Sequence, residues 1–208
     1  MYSPLSAQTP SRPPARRAPT MVLIALSVFF LAGCQTAMSA QMQTNDASTT
    51  NAWPLHFKRH GFDAFCYNTA SCTVIYNQLD LTPEDKQRPS GAPPSGDYRA
   101  KWGKASHIGI NNFPEPAIVK WTSADGQSHE ASVDIAQIFK DERVLHHVKQ
   151  NDYPEGSFGG SVDIFLEVND RTLTVFSKAH VPTKSEQVPG NKYSFHRNDL
   201  IEAWSKTY

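Results

Sequence analysis

An apolar run from Met21 to Leu31, broken only by Ser27, follows Arg12, Arg16 and Arg17 and ends in Leu31-Ala32-Gly33-Cys34. No acidic residue precedes it. A cationic stretch, then about a dozen mostly apolar residues, then small residues at a cleavage point is the layout of a secretory signal. The run is too short to stay in a bilayer as a spanning helix, which needs about 20 apolar residues. Folding is therefore expected after export, and residues 1–33 take no part in it.

The Leu-Ala-Gly-Cys ending resembles the lipobox of bacterial lipoproteins, in which the Cys thiol is acylated and becomes the new N-terminus. The alternative is an ordinary signal followed by an incidental Cys. On the lipobox reading, Cys34 is the lipidation site and the mature chain runs from Cys34 to Tyr208. Three of the 20 basic residues leave with the signal, so 17 remain against 20 acidic ones, a formal charge of −3. That balance offers no electrostatic footprint for nucleic acid. Two or more acyl chains make a stable anchor where one is marginal. Residue 35 is Gln rather than Asp, which by analogy with lipoprotein sorting places the anchor in the outer membrane, with the body facing the periplasm.

Removing Cys34 from the count leaves two cysteines, Cys66 and Cys72. An even remainder in an exported chain points to a disulfide. Two buried thiols or a redox pair are the alternatives, although redox pairs usually have two intervening residues rather than five. Closing so small a loop gives about 2 kcal/mol on the chain-entropy estimate.

Residues 34–52, rich in Gln, Thr, Ser, Ala and Asn with one charge, Asp46, read as a flexible tether. Its root-mean-square reach is about 23 Å at 5–6 Å × √n. Residues 53–208 are enough for one domain with a real core. Two hairpins are predicted. Ala117–Thr122 and the alternating Ala131, Val133 and Ile135 flank Asp125-Gly126. Val162–Val168 and Arg171–Lys178 flank Asn169-Asp170, with Ile164, Leu166, Val168, Leu173 and Val175 inward. Cys72–Asn77 and Leu55–Phe65 also read as strand. Ile135–Asp141 suits one or two helical turns, and Asn198–Ser205 has Leu200, Ile201 and Trp204 at helical spacing behind a candidate cap, Asn198. Pro83–Asp97, dense in Pro, Gly and Ser, suits neither strand nor helix, and a loop of that length is mobile or kept for binding. The fold class expected is α+β: a mainly antiparallel β domain with a C-terminal helix.

No catalytic motif survives inspection. Gly156-Ser157-Phe158-Gly159-Gly160 lacks the spacing of a nucleophile elbow, and His129-Glu130 has no second His. Adjacent His146 and His147 would point to opposite faces of a strand, and the eight His are scattered, so neither a metal site nor a cofactor is expected. Asp163 and Glu167 could form an acid–base pair but read more simply as a solvated face. Tyr98, Trp102 and Phe113, bordering the Pro/Gly loop, are the candidate partner-binding aromatics, since exposed aromatics beside a loop can anchor a partner.

Three blocks carry a wider resemblance: Val133–Asp141, Ile164–Thr172 and Pro189-Gly190-Asn191-Lys192-Tyr193-Ser194. With Ala117–Trp121 and Asp199-Leu200-Ile201, they look like a family of bacterial lipoproteins encoded beside phospholipase effectors of the type VI secretion system. The resemblance implies an immunity protein that is not an enzyme, whose partner is a phospholipase effector and whose other contact is the membrane, through its lipid. It assigns no binding residue. A structural or envelope-assembly lipoprotein, or a lipid-anchored enzyme of unrecognised type, are the other readings. The lipobox reading predicts that Cys34→Ser leaves the protein unanchored; recovery of that variant in the membrane pellet on fractionation would refute it.

Overall fold

A computed structural model describes residues 53–82, 88–155 and 158–208. The expected signal, lipidation site and tether lie outside these residues. Eleven strands dominate the described chain: β1 (Arg59–Tyr67), β2 (Thr69–Tyr76), β3 (Leu79–Asp80), β4 (His107–Asn111), β5 (Ala117–Ser123), β6 (Ser128–Val133), β7 (Ser161–Asn169), β8 (Thr172–Ala179), β9 (Val181–Pro182), β10 (His196–Arg197) and β11 (Leu200–Thr207). Among the described residues helix is limited to one turn, α1 (Ile135–Ile138), and short 3-10 turns at Tyr98–Lys101 and Gln150–Asp152. The protein is therefore all-β, not α+β.

Both predicted hairpins form. β5 and β6 join through Ala124–Gln127, where Gly126 takes φ 82° and the Asp125 side chain accepts bonds from Ser123 Oγ and Gln127 N. β7 and β8 join at Asp170, also left-handed at φ 53°. The two turns are tied together. Trp121 Nε1 donates to Asp170 O at 2.8 Å, and Ala124 N to Asp170 Oδ1 at 2.9 Å.

The strands make a five-stranded sheet in the order β11-β8-β7-β1-β4 and a four-stranded sheet in the order β3-β2-β5-β6. All pairs are antiparallel except β1 with β7. Between the sheets lies one core, in which Phe62, Ile164, Leu166, Leu173 and Val175 meet Val74, Val119, Trp121 and Val133. Each such side chain contributes roughly 1.5–3 kcal/mol by burial. The chain passes from one sheet to the other between β1 and β2 at Asn68, whose φ is 52°. The predicted Cys66–Cys72 disulfide spans that crossing and so joins the two sheets covalently.

The expected C-terminal helix is instead β11, an edge strand on β8. A register shift between Glu202 and Trp204 inserts Ala203 as an extra residue. Ile201 pairs with Ser177 and Trp204 with Val175, so two residues three apart fall on the same face of the sheet. A bulge thus produces the spacing that a helix would produce.

His60 ties the sheets together by polar contacts. Fully buried on β1, it meets Asn112 Oδ1 through Nδ1 and Tyr76 Oη, on β2, through Nε2, both at 2.9 Å. Asn112 donates its own amide to Phe57 O at 2.8 Å, so its oxygen faces His60 and Nδ1 carries the proton. Nε2 then accepts from Tyr76. Burial lowers the His60 pKa, the bond to Asn112 opposing it, and burial pushes the Tyr76 phenol up. A histidine with a lowered folded pKa binds fewer protons folded than unfolded, so its contribution is intact above about pH 6.5 and lost as pH falls below it. Stability should therefore decline between pH 7.5 and 5. His146 and His196 are also lowered, so His60→Gln should make the acid limb of a denaturant-midpoint curve shallower without flattening it. An unchanged slope would remove His60 from the account.

Candidate functional site

The outer face of the five-stranded sheet is covered, not solvated. Phe65, Phe165 and Phe176 project from it, and the segment around Tyr98, Trp102 and Ala105 packs on them. Trp102 stacks on Phe65 at 4.5 Å and meets Phe176 edge-on at 5.5 Å. Glu167 lies in the middle of this face, 1% exposed. Its carboxylate accepts from Tyr98 Oη at 2.8 Å and from Arg99 Nε and Nη2 at 3.1 and 2.6 Å. Burial, with the neighbouring Glu167, raises the Tyr98 pKa to about 12. The expected solvated face is thus corrected. Glu167 is a buried ion-pair partner, while Asp163 is half-buried, its pKa raised chiefly by burial.

The aromatics singled out from the sequence are placed accordingly. Tyr98 is 9% and Trp102 6% exposed, and Phe113 is half-buried against Phe57 and Phe139. None of the three projects freely. The Pro/Gly-rich segment that precedes Tyr98 is pinned at its described end, where Ser90 exchanges backbone bonds with Thr69 at 3.2 and 2.8 Å.

Asp63, Ser106 and His107, and likewise Ser123, Asp125 and His129, bring together the residue types of a hydrolytic relay. Ser106 Oγ donates to Asp63 Oδ1 at 2.5 Å, and His107 Nδ1 lies 3.1 Å from Ser106 Oγ and 3.4 Å from Asp63 Oδ1. A relay needs the hydroxyl and the carboxylate on opposite ring nitrogens. In the first trio both face His107 Nδ1, and it fixes the start of β4. In the second, Ser123 Oγ donates to Asp125 and lies 3.1 Å from His129 Nε2, so the carboxylate meets the hydroxyl instead of the far ring nitrogen, and the trio braces the β5–β6 turn. His146 and His147 take different partners, Trp53 at 5.1 Å and Asp199 at 3.5 Å. Among the described residues no group of three or more His, Cys, Asp or Glu could hold a metal ion, and no helix is long and apolar enough to cross a membrane.

Two surfaces have the character of binding sites. The first is the loop Thr183–Phe195, closed at its base by β9 and β10. Its tip exposes Tyr193 at 88%, with Val188 at 55% and Phe195 at 41% beside it. The loop is held in one shape by its own polar groups. Buried Ser194 accepts from Val188 N at 3.0 Å and donates to Asn191 O at 2.7 Å, and Asn191 Oδ1 receives Tyr193 N at 3.0 Å. Gly190, at φ 80°, makes the turn that the Pro-Gly-Asn sequence suggests. Asp152 fastens the near side, accepting from Ser185 N and Oγ at 3.0 and 2.9 Å. Tyr193 is not among the aromatics that the sequence singles out, although it lies in the Pro189–Ser194 block. A tyrosine after a Pro-Gly-Asn turn was the available signal.

The second surface is an open cleft of about 580 Å³ between Trp53, α1 and its following segment, and β11. No protein-family model, curated protein or solved structure matches the chain.

Because Trp102 is core, Trp102→Ala should destabilise the fold by about 3–5 kcal/mol. Equilibrium unfolding would check this, and a change under 1 kcal/mol would contradict its placement.

Proposed function

We propose that this chain is a membrane-tethered immunity lipoprotein that binds and neutralises a phospholipase effector of a type VI secretion system in the periplasm. The observation that carries the reading is the Thr183–Phe195 loop, a preformed projection with an aromatic tip on a disulfide-braced β body. Ordering a loop on binding costs free energy, and a loop already held by Ser194, Asn191 and Asp152 avoids most of that cost. Tyr is among the residues that most often carry the energy of a protein interface. The lipobox at Cys34 and the resemblance to effector-linked lipoproteins supply the compartment and the partner. Inhibition requires tight association and no turnover. A nanomolar constant corresponds to about 12 kcal/mol, which usually takes about 1,600 Å² of buried surface with a few anchors at its centre. A lipid anchor raises the inhibitor's local concentration where a phospholipase meets its substrate.

The test is a titration of a phospholipase effector encoded beside the gene with the soluble Cys34→Ser chain. One-to-one loss of lipase activity is expected. Undiminished activity at excess inhibitor, or lipid hydrolysis by the chain alone, would overturn the reading. Tyr193→Ala should weaken binding by about 2 kcal/mol, roughly 30-fold. Its unfolding free energy should move by less than about 0.5 kcal/mol, because the side chain is exposed.

A further inference from the structure

The cleft beside Trp53 combines apolar walls with unpaired cations. Its floor is the buried Phe139, Val144 and Val148, and its walls include half-buried Trp53, Ile138, Leu145 and Ile201. At about 580 Å³ it falls within the range of small-molecule sites, roughly 300–1,000 Å³. Two contacts keep the Trp53 indole on the wall, with His146 at 5.1 Å and Tyr153 at 6.0 Å. Ile201 reaches the cleft because it precedes the bulge of β11 and faces the core side of the sheet.

Charge decides what such a cleft would hold. Lys140 and Arg143 line it, both are exposed, and neither makes an ion pair among the described residues. Asp141 is the single carboxylate in the lining. The nearby Glu142 is paired with Lys58, and Asp199 with Arg197. The lining therefore has a cationic excess on a chain whose body is mildly acidic. A trough whose lining is part apolar and part polar, with two free cations, matches a ligand with one hydrocarbon chain and one anionic head.

We infer that this cleft binds a single-chain anionic lipid, its chain against Trp53, Leu145 and Ile201 and its head at Lys140 and Arg143. This site lies apart from the Tyr193 loop and does not depend on the immunity reading. Both cations are exposed, so replacing them leaves the core untouched. A fatty-acid carboxylate and a lysophospholipid phosphate share the chemistry, and the choice of probe separates them.

The experiment is calorimetric titration of the delipidated Cys34→Ser chain at pH 7 with monomeric laurate, lauroyl lysophosphatidylglycerol and zwitterionic lauroyl lysophosphatidylcholine. Saturable one-to-one binding of at least one anionic probe is expected, at least tenfold tighter than the zwitterionic probe. The tighter anionic probe identifies the head group. Lys140→Glu with Arg143→Glu should weaken that binding at least tenfold, and Leu145→Gln should weaken all three probes alike. Absence of saturable binding by both anionic probes, equal affinity for the zwitterionic one, or indifference to the double substitution would each overturn the assignment.

Discussion

Glu167 carries a charge into the middle of the five-stranded sheet, and the way it is covered organises much of the molecule. A carboxylate taken out of water costs several kcal/mol unless it is paired and hydrogen-bonded. Arg99 and Tyr98 supply that pairing, and both come from a short 3-10 turn in the segment between β3 and β4. Once Arg99 is seated, its guanidinium lies 4.8 Å over Phe176, and Trp102 follows into the aromatic cluster. Lys178 secures the far side by donating to the carbonyls of Trp102 and Gly103 at 2.6 and 3.1 Å. Gly61 lets the layer sit close, since a Cβ there would stand 2.7 Å from Asp163 Oδ1 and 2.9 Å from Ala105 Cβ.

With that layer in place, β7 is buried on both sides, from Ile164 to Val168 without a break. Neither face of β7 or of most of β8 is then open to a partner. The two surfaces proposed for recognition, the Tyr193 tip and the Trp53 cleft, lie instead at loops and sheet margins. The disulfide has a related role. It braces the crossing at Asn68, where one chain turn joins the two sheets, so the loops are displayed on sheets that resist sliding.

Legibility from sequence followed the range of the interactions. The two hairpins were readable because Asp125-Gly126 and Asn169-Asp170 are local turn signals between alternating residues. The Cys66–Cys72 bridge was readable from an even count in an exported chain. What failed depended on distant partners. Ile201 and Trp204 have helical spacing, and only the pairing with β8 reveals the bulge that puts them on one face of a strand. Tyr98 and Trp102 stand beside a Pro/Gly-rich stretch, and nothing local shows that Glu167, far along the chain, buries them. Glu167 itself alternates like a solvent-facing residue. Its burial follows from a third layer that no periodicity announces.

The loop and the cleft meet through one carboxylate. Arg197, at the base of the loop, reaches Gln187 Oε1 at 3.3 Å and grips Asp199 through Nε and Nη2 at 2.8 and 2.6 Å. Asp199 also faces His147 on the cleft wall at 3.5 Å. Contiguity of this kind is not coupling, which requires an element with two arrangements that both sites bias. A two-toothed Arg–carboxylate contact is planar and has one favoured geometry, and Arg197 holds the Asp199 carboxyl below its usual pKa. The junction therefore behaves as a fixed strut. Tyr193 on one side and Lys140 with Arg143 on the other share no bonding partner, so substitutions at the two surfaces should add in free energy rather than compound.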